Sequence, residues 1–384
     1  MFLPNYKDGG IANLMSSLGS ALGAKSKYKP LKIFKPDELK STKNVVLLVI
    51  DGLGFEYIRK FGKNSVFSKY LRGKITSVFP TVTSTAVPLF FTGFSSQEHG
   101  MTGWHMFIKE LGCVIKSLPY TTRTSRFPLG EVRDISQVFN LKPFTNRIKC
   151  QSYVVTMKEI VNSSFTIATA GKAKICAYKN LNGCFKKIKK IIKSNSRKKF
   201  IHAYWPKFDT LCHHYGTKNK KVFAHFKQLN KELVSFVKTI EGTNTAIIIT
   251  ADHGMIDVPK SKVINLKNHP KLRETLSVPL CGDSRYAYCY VKSDKTREFE
   301  RYVKTKLKHC CTLYKSKDLV KKNYFGLEKP SKKFLERIGE YTIIMKENYA
   351  IYDFLVQEKG KRNVGDHGGL SKEELFVPLI IINM

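Results

Sequence analysis

The stretch 45–52, which reads Val-Val-Leu-Leu-Val-Ile-Asp-Gly, constrains the fold of this chain more than any other. Six apolar residues, four of them β-branched, lead directly into Asp51 and Gly52. A run this short and this apolar predicts a strand buried on both faces, as in a parallel sheet covered by helices. Asp51 stands at the carboxyl end of this strand, which is where ligands bind in open α/β sheets.

Two further apolar runs place a carboxylate at the same end of a predicted strand. The run 246–251 precedes Asp252 and His253, and the run 200–205 precedes Asp209. Because the carboxyl ends of parallel strands meet at one edge of a sheet, we expect these carboxylates to share one rim. The sequence therefore predicts the α/β class, with a mostly parallel central sheet sandwiched by helices.

The length and composition predict how this architecture is arranged along the chain. With 384 residues, of which 42% are hydrophobic, the chain can bury a sizeable core. We expect one α/β catalytic domain over 1–384, in which the lysine-rich range 258–340 forms an insertion or cap. No segment reaches the roughly 20 apolar residues of a membrane-spanning helix. The N-terminus has no signal-peptide pattern, so we expect a cytoplasmic location, although export without a classical signal stays open.

The net charge is extreme for a chain of this size. Lysine and arginine number 67 against 30 acidic residues, which gives a formal charge of +37. Such an excess favours anionic partners, namely nucleotides, nucleic acid or anionic membrane surfaces. The alternative is a solvated cationic surface without a specific partner, because the lysines are spread along the whole chain.

A cluster of hydroxyl residues lies where a predicted strand over 74–79 gives way to a predicted apolar helix over 86–92. Serine and threonine are ordinary helix caps, which is the structural explanation of the cluster. A helix N-terminus also presents free N–H groups that suit a phosphate. Beside a rim of carboxylates, one of these hydroxyls is a candidate nucleophile. The candidates are Thr81, Thr83, Ser84 and Thr85.

The remaining polar residues of interest have the chemistry of metal ligands. If the segment 209–213 is helical, Asp209 and His213 lie on one face, as metal ligands often do; the alternative is an ordinary polar loop. Mixed oxygen and nitrogen ligation suits Zn²⁺ first, with Mn²⁺ or Fe as alternatives. Six ligands are too many for one tetrahedral zinc, and two metals about 4 Å apart are a known device for phosphoryl transfer. The candidate ligands are Asp51, Asp209, His213, Asp252, His253 and His367.

The same residues belong to a set of motifs that resembles a known family. The chain resembles the type I phosphodiesterase/nucleotide pyrophosphatase family of the alkaline phosphatase superfamily, with the motifs in the family's order over residues 45–369. The motifs are Ile50-Asp51-Gly52, Phe79-Pro80-Thr81-Val82-Thr83, Glu98-His99-Gly100, Tyr204-Trp205-Pro206 with Asp209 and His213, Asp252-His253-Gly254, and Asp366-His367-Gly368.

The resemblance implies a role for each of the candidate residues. Thr83 would be the nucleophile and would form a covalent phospho-threonine intermediate. The ligands of one Zn²⁺ would be Asp51, Thr83, Asp252 and His253. The ligands of the other would be Asp209, His213 and His367.

One position departs from the family pattern. Family members carry an asparagine a few residues after the His-Gly pair, where it binds a phosphoryl oxygen, and this chain has Trp104 there. An indole has one donor and a large apolar face. Trp104 is therefore a candidate substrate-binding residue that stacks on a base or another flat leaving group, and the alternative is packing in the core.

Three functions remain open from the sequence. The resemblance implies a two-zinc hydrolase that cleaves phosphodiester or pyrophosphate bonds in small, anionic, nucleotide-like substrates. The first alternative keeps the fold and makes the protein a phosphomonoesterase or a phosphonate hydrolase. The second alternative is a basic nucleic-acid-binding or membrane-binding protein with an inactive site, against which the full set of ligands argues.

Overall fold

The structure is a computed structural model that describes residues 2–358, 360 and 362–384. Its strands, numbered in chain order, are β1 Asn44–Ile50, β2 Leu71–Thr76, β3 His105–Ile108, β4 Cys113–Lys116, β5 Thr121–Thr122, β6 Gln151–Met157, β7 Lys174–Tyr178, β8 Lys199–Trp205, β9 Thr245–Thr250, β10 Ile256–Asp257, β11 Val263–Asn265, β12 Cys281–Asp283, β13 Tyr286–Cys289, β14 Cys311–Lys315, β15 Tyr341–Met345, β16 Ala350–Tyr352, β17 Gly365–Asp366 and β18 Phe376–Asn383.

The helices are likewise numbered in chain order. They are α1 Ile11–Ala21, α2 Phe55–Phe61, α3 Val66–Lys69, α4 Thr83–Thr92, α5 Ser96–His99, α6 Ile135–Val138, α7 Ser164–Ala170, α8 Leu181–Ile192, α9 Lys207–Tyr215, α10 Lys220–Thr239, α11 Pro270–Glu274, α12 Thr296–Lys306, α13 Ser316–Lys321, α14 Lys332–Glu336 and α15 Lys372–Leu375.

A seven-stranded sheet in the order β2-β18-β9-β1-β8-β6-β7 forms the centre of the molecule. The neighbouring pairs from β9 to β7 are all parallel, and only β18 runs against its neighbours. Every residue of β1 is buried, so both faces of the sheet are covered at its centre. The predicted α/β class with a mostly parallel central sheet is confirmed.

Amphipathic helices cover this sheet. In α8 the buried side chains recur every three or four residues, with Phe185, Ile188 and Ile192 among them, while lysines fill the exposed face. The long helix α10 packs beside α8 and buries Phe226, Leu229 and further apolar residues at the same spacing. Within the described part of the chain, no helix combines the length and the apolar character that crossing a membrane would require.

The chain also forms a second seven-stranded sheet, in which the strand order is β14-β15-β13-β12-β3-β4-β5. All of its strand pairs are antiparallel. It joins strands from 105–122 with strands from 281–345, and the link is the bridge between His105 and Gly282. The division of the chain at 258–340 into an insertion or cap stays a prediction.

Helix α4 begins earlier than the sequence predicts. The predicted start was residue 86, whereas the helix begins at Thr83 with Val82 as its N-cap. The prediction treated the hydroxyl residues as caps, but the Thr85 hydroxyl donates back to the Val82 carbonyl at 2.9 Å from inside the first turn. The earlier start makes Thr83 the first residue of the helix.

A buried ion pair connects the two sheets. Arg285, between β12 and β13, donates from Nε to Glu374 Oε1 at 2.9 Å and from Nη2 to Glu374 Oε2 at 3.0 Å. Glu374 lies in α15, immediately before β18, and neither side chain is more than 1% exposed. Glu374 also accepts from the Gly369 amide at 2.8 Å, so the pair holds the loop that follows His367.

Replacing one partner of this pair should destabilise the fold. The Arg285→Met substitution would leave the Glu374 carboxylate buried and uncompensated, which should cost about 3–5 kcal/mol of unfolding free energy. The matched control is Lys304→Met in the exposed Lys304–Glu300 pair, where we expect a change below about 1 kcal/mol. Thermal unfolding of the three proteins measures both effects, and equal midpoints for the two variants would contradict the prediction.

Candidate active site

The predicted ligands lie where strands of the central sheet end. Asp51 follows β1, and Asp252 and His253 follow β9. The segment after β8 forms helix α9, which carries Asp209 and His213 and so confirms that these two residues are on a helix. The structure brings all of these residues, together with Thr83 and His367, around one centre.

The first group is arranged around the imidazole of His253. Its Nε2 lies 3.4 Å from Asp51 Oδ1 and 3.4 Å from Asp252 Oδ2. The hydroxyl Oγ1 of Thr83 lies 3.1 Å from the same nitrogen. Both carboxylates and the imidazole are buried. One nitrogen and three oxygens therefore converge on a single point.

The second group is arranged around the carboxylate of Asp209. Its Oδ1 lies 3.2 Å from His213 Nε2 and 3.6 Å from His367 Nε2. The two Nε2 atoms are 3.2 Å apart. The ring of His367 stacks on that of His253 with 3.7 Å between centroids, so the two groups are adjacent.

Hydrogen bonds to the backbone determine the tautomer of each histidine. A carbonyl oxygen can only accept, so the ring nitrogen that faces it carries the proton. In the neutral rings each Nε2 therefore directs a lone pair toward the centre. The three bonds run from His213 Nδ1 to Gly365 O at 2.8 Å, from His253 Nδ1 to Gly254 O at 3.1 Å, and from His367 Nδ1 to Thr81 O at 3.0 Å.

Two of the carboxylates also direct toward this centre lone pairs that accept no hydrogen bond from the part of the chain that the structure describes. Asp51 Oδ1 and Asp252 Oδ2 are buried without a hydrogen-bond partner among the described residues, and Asp209 Oδ1 faces the imidazole nitrogens of His213 and His367 at 3.2 and 3.6 Å. Leaving a buried charge unpaired is costly, and such groups are normally paired or coordinate metals. The oxygen and nitrogen atoms that converge here all offer lone pairs. They therefore fit a divalent cation, which is commonly bound by such a mixture of oxygen and nitrogen ligands.

The pKa values of the three aspartates reflect how closely their carboxyl groups are packed. Burial raises the pKa of Asp51 well above its usual range, and the charges of Asp252 and Asp209 raise it further. Burial likewise raises the pKa of Asp252 to about 7. Burial alone would raise the pKa of Asp209 as well, but the positive charge of His213 and its hydrogen bond lower that pKa below the usual range. Carboxylates packed this closely need cations if all of them are to ionise.

The pKa values of the three imidazoles differ because different groups lie next to each ring. Burial lowers the pKa of His253 to about 4, and burial with the neighbouring imidazoles lowers that of His367 to about 3. Burial would lower the pKa of His213 as well, but the Asp209 carboxylate raises it to about 10. His253 and His367 are therefore neutral at pH 7, which is the form that binds a metal.

The four hydroxyl residues differ in their contacts. Thr81 Oγ1 donates to the Gly369 carbonyl at 2.8 Å, and Thr85 Oγ1 donates to Val82, so both hydroxyls bond to the backbone. Ser84 Oγ is buried and has no partner among the described residues. Thr83 is half-buried and faces both the ligand cluster and an adjoining cavity.

This cavity has a volume of about 740 Å³. Thr83, Asp209 and His213 line it at the ligand cluster, and Trp104 lines it as a half-buried side chain. A cavity of this size lies within the range of small-molecule sites, roughly 300–1,000 Å³.

Sequence reasoning missed the residues that hold the ligands in position. The Tyr204 hydroxyl donates to Asp51 Oδ2. Asp366 accepts from the hydroxyls of Ser284 and Tyr352, the latter at 2.7 Å, and lies within reach of His213 and His367. The sequence signal for Asp366 was its place directly before His367, and Tyr204 stands in the motif Tyr204-Trp205-Pro206, whereas nothing in the local sequence points to Tyr352 or Ser284.

The comparisons with known proteins identify the family and the fold of the chain. The sequence profile of the type I phosphodiesterase / nucleotide pyrophosphatase family matches residues 45–370. No curated protein matches the chain.

Solved structures with the same fold include murine ectonucleotide pyrophosphatase / phosphodiesterase 5, at a TM-score of 0.66, 18% identity and coverage of 87% of each chain. An inactive variant of that protein in complex with AMP matches with a TM-score of 0.65, 19% identity and the same coverage. Phosphonoacetate hydrolase from Sinorhizobium meliloti 1021, in complex with phosphonoacetate, matches at 0.62 and 15% identity, over 89% of this chain and 90% of that one.

The profile match extends over most of the chain, and the central sheet and the order of the motifs fit it. The family resemblance expected from the sequence is therefore confirmed, and membership of this family indicates a phosphoryl-transfer hydrolase. This chain belongs to the type I phosphodiesterase / nucleotide pyrophosphatase family.

Proposed function

We propose that the protein is a two-zinc hydrolase that cleaves phosphodiester or pyrophosphate bonds of nucleotide-type substrates through a covalent phospho-threonine at Thr83. The observation that carries this proposal is the position of the Thr83 hydroxyl, which opens to the cavity and lies 3.1 Å from His253 Nε2. The family membership and the complex of the murine relative's variant with AMP support the substrate class.

The two groups of side chains correspond to two metal sites. Following the family resemblance, Asp51, Thr83, Asp252 and His253 would hold one cation, and Asp209, His213 and His367 would hold the other. The short distances within each set support this division, although Asp209 and His367 also lie within ligand distance of His253. When bound, such cations would lower the pKa of the Thr83 hydroxyl, polarise the phosphoryl oxygens and activate the water of the second step.

The chain's own residues account for the attack itself. Thr83 Oγ1 would form a bond to phosphorus while the bond from phosphorus to the leaving oxygen breaks, and water would then hydrolyse the phospho-threonine to restore the hydroxyl. The backbone amides of Thr83 and Ser84 make no hydrogen bond within the described residues. They stand at the positive end of α4 and would stabilise the phosphoryl oxygens.

Trp104 would occupy part of the space next to the scissile bond. Its half-buried indole lines the cavity, so it can stack on a base or another flat leaving group. The Ser84 hydroxyl, which is unpartnered, could supply a hydrogen bond of the kind that the family's asparagine provides.

Hydrolysis of a phosphonate is the second candidate function. The phosphonoacetate hydrolase has the same fold and is bound to phosphonoacetate in its structure. The absence of the family's asparagine at position 104 favours a pocket that differs from that of the nucleotide pyrophosphatases.

The first prediction concerns the nucleophile and the bond that is cleaved. With zinc present, the protein should hydrolyse a simple aryl phosphodiester faster than the matching monoester. Thr83→Ala should lower kcat about a thousandfold or more, because it removes the attacking oxygen. Thr83→Ser should retain measurable turnover. Activity of Thr83→Ala close to that of the unmodified protein would refute the nucleophile, and a preference for the monoester would refute the diester assignment.

The second prediction concerns the metals. Equilibrium dialysis followed by metal analysis should find about two zinc ions per chain. Asp252→Asn and His213→Ala should each reduce this number to about one, and each should lower the rise in unfolding temperature that zinc produces. His214→Ala is the matched control, because His214 is the exposed neighbour of His213, and it should retain both ions. A number near zero in the unmodified protein would contradict the metal assignment.

A further inference from the structure

The cavity beside Thr83 has a second polar region away from the metal ligands. Its basic wall consists of His105, Lys116, Arg123 and Arg126, all of which line the cavity. His105 and Lys116 face each other as partners in the antiparallel pair of β3 and β4. Because directly opposed residues project from the same face of a sheet, both side chains reach the same region of the cavity.

Most of the positive charge of this basic wall is not neutralised. Neither Lys116 nor Arg126 forms an ion pair or a side-chain hydrogen bond with any residue that the structure describes. Arg123 differs, because it is buried and pairs with Glu358 at 2.9 Å. Burial lowers the pKa of Lys116 and the charge of Arg126 lowers it further, whereas the nearby carboxylate of Glu358 raises it. The side chain of Lys116 is half-buried, and that of Arg126 is exposed at the mouth of the cavity.

The basic wall also contains a buried polar atom without a partner. His105 Nε2 has no hydrogen-bond partner among the described residues and is closed to solvent. Gly282 of β12 pairs with His105, and the next residue, Asp283, lines the same cavity and lies close enough to His213 and Asp209 to feel their charges. The wall and the ligand cluster therefore border one cavity.

The acidic residues of the cavity offset only part of this charge. The carboxylate of Glu358 pairs with Arg123, and that of Asp353, which accepts from the Leu280 amide at 2.9 Å, is the remaining counter-charge on this side of the cavity. Asp209 belongs to the ligand cluster, and burial with the nearby Asp366 raises the pKa of Asp283 to about 7. One end of the cavity thus suits a phosphoryl group on cations, and the other retains unpaired positive charge.

We propose that the basic wall recognises a second anionic group, carried by the substrate away from the bond that is cleaved. This inference rests on the proposed function and narrows it: the substrate is a phosphoryl compound with an additional carboxylate or phosphate. Lys116 and Arg126 bind this group as specificity-determining residues, and the cavity of about 740 Å³ is large enough to hold both groups at once.

The test compares two aryl phosphodiesters that differ only in a carboxylate on the second aryl ring. The unmodified protein should have a kcat/KM about ten- to hundredfold higher for the carboxylated substrate, mainly through KM, as expected for a hydrogen bond to a charged group. Lys116→Met and Arg126→Met should each remove most of this preference by lowering kcat/KM for the carboxylated diester. Lys109→Met, on an exposed lysine just after β3, controls for the general charge of the surface and should preserve the preference.

A binding measurement removes the dependence on turnover. Titration calorimetry of the Thr83→Ala protein should find 4-carboxyphenylphosphonate and 1,4-phenylenebisphosphonate bound more tightly than phenylphosphonate. The added substitution Lys116→Met should remove the difference. Whichever of these two ligands binds more tightly identifies whether the second group is a carboxylate or a phosphate.

The two failures are distinguishable. Hydrolysis of both diesters with equal kcat/KM, or an equal loss in Lys109→Met and Lys116→Met, would overturn the basic wall and leave the proposed function intact. If the unmodified protein hydrolyses neither diester, the proposed function is overturned. The calorimetric comparison would still decide whether the basic wall binds an anion.

Discussion

The site depends on a concentration of electron pairs that the chain itself does not neutralise. Among the described residues, one buried carboxylate oxygen each of Asp51 and Asp252 has no hydrogen-bond partner, and three imidazoles turn their Nε2 atoms toward the same place. The chain has 67 lysine and arginine residues, yet within the described residues none of them forms an ion pair with Asp51, Asp209 or Asp252. Buried carboxylates packed this closely are neutralised either by protonation or by bound cations, and the convergence of their oxygens with imidazole nitrogens is the arrangement that fits divalent cations.

The central sheet creates this constraint by bringing the ends of its parallel strands together. β8 and β9 flank β1, so the residues that follow these three strands meet at one edge. The turn after β1 must pass very close to α9, and Gly52 permits this with a φ of +74°. A Cβ at Gly52 would meet Asp209 Cβ at 3.0 Å, which would displace a metal ligand. The second sheet then closes the cavity and supplies its basic wall.

The sequence predicted those parts of the site that depend on local patterns. A buried strand that ends in a carboxylate, and a pair of ligands four residues apart on a helix, are local patterns, and they led to Asp51 and Asp209 without any knowledge of the tertiary structure. The start of α4 was missed by three residues, because hydroxyl residues form caps and first turns equally well. Asp366 belongs to one of the family motifs, but the sequence did not assign it a role, because its hydrogen-bond partners come from other segments of the chain.

The second sheet and the basic wall could not be predicted because they depend on contacts between distant parts of the chain. β3 and β12 are more than 170 residues apart, as the pairing of His105 with Gly282 shows, and no local pattern in either strand identifies the other. Lysines are spread over the whole sequence, so only the folded chain separates Lys116 and Arg126, in the cavity, from those on the outer helices.

Anomalous diffraction at the zinc absorption edge, from crystals grown with zinc, tests the central claim most directly. We expect two peaks, one bounded by Asp51, Asp252 and His253, and the other by Asp209, His213 and His367. The absence of anomalous density among these residues in zinc-loaded crystals would contradict the claim that this cluster of electron pairs exists to hold metal cations.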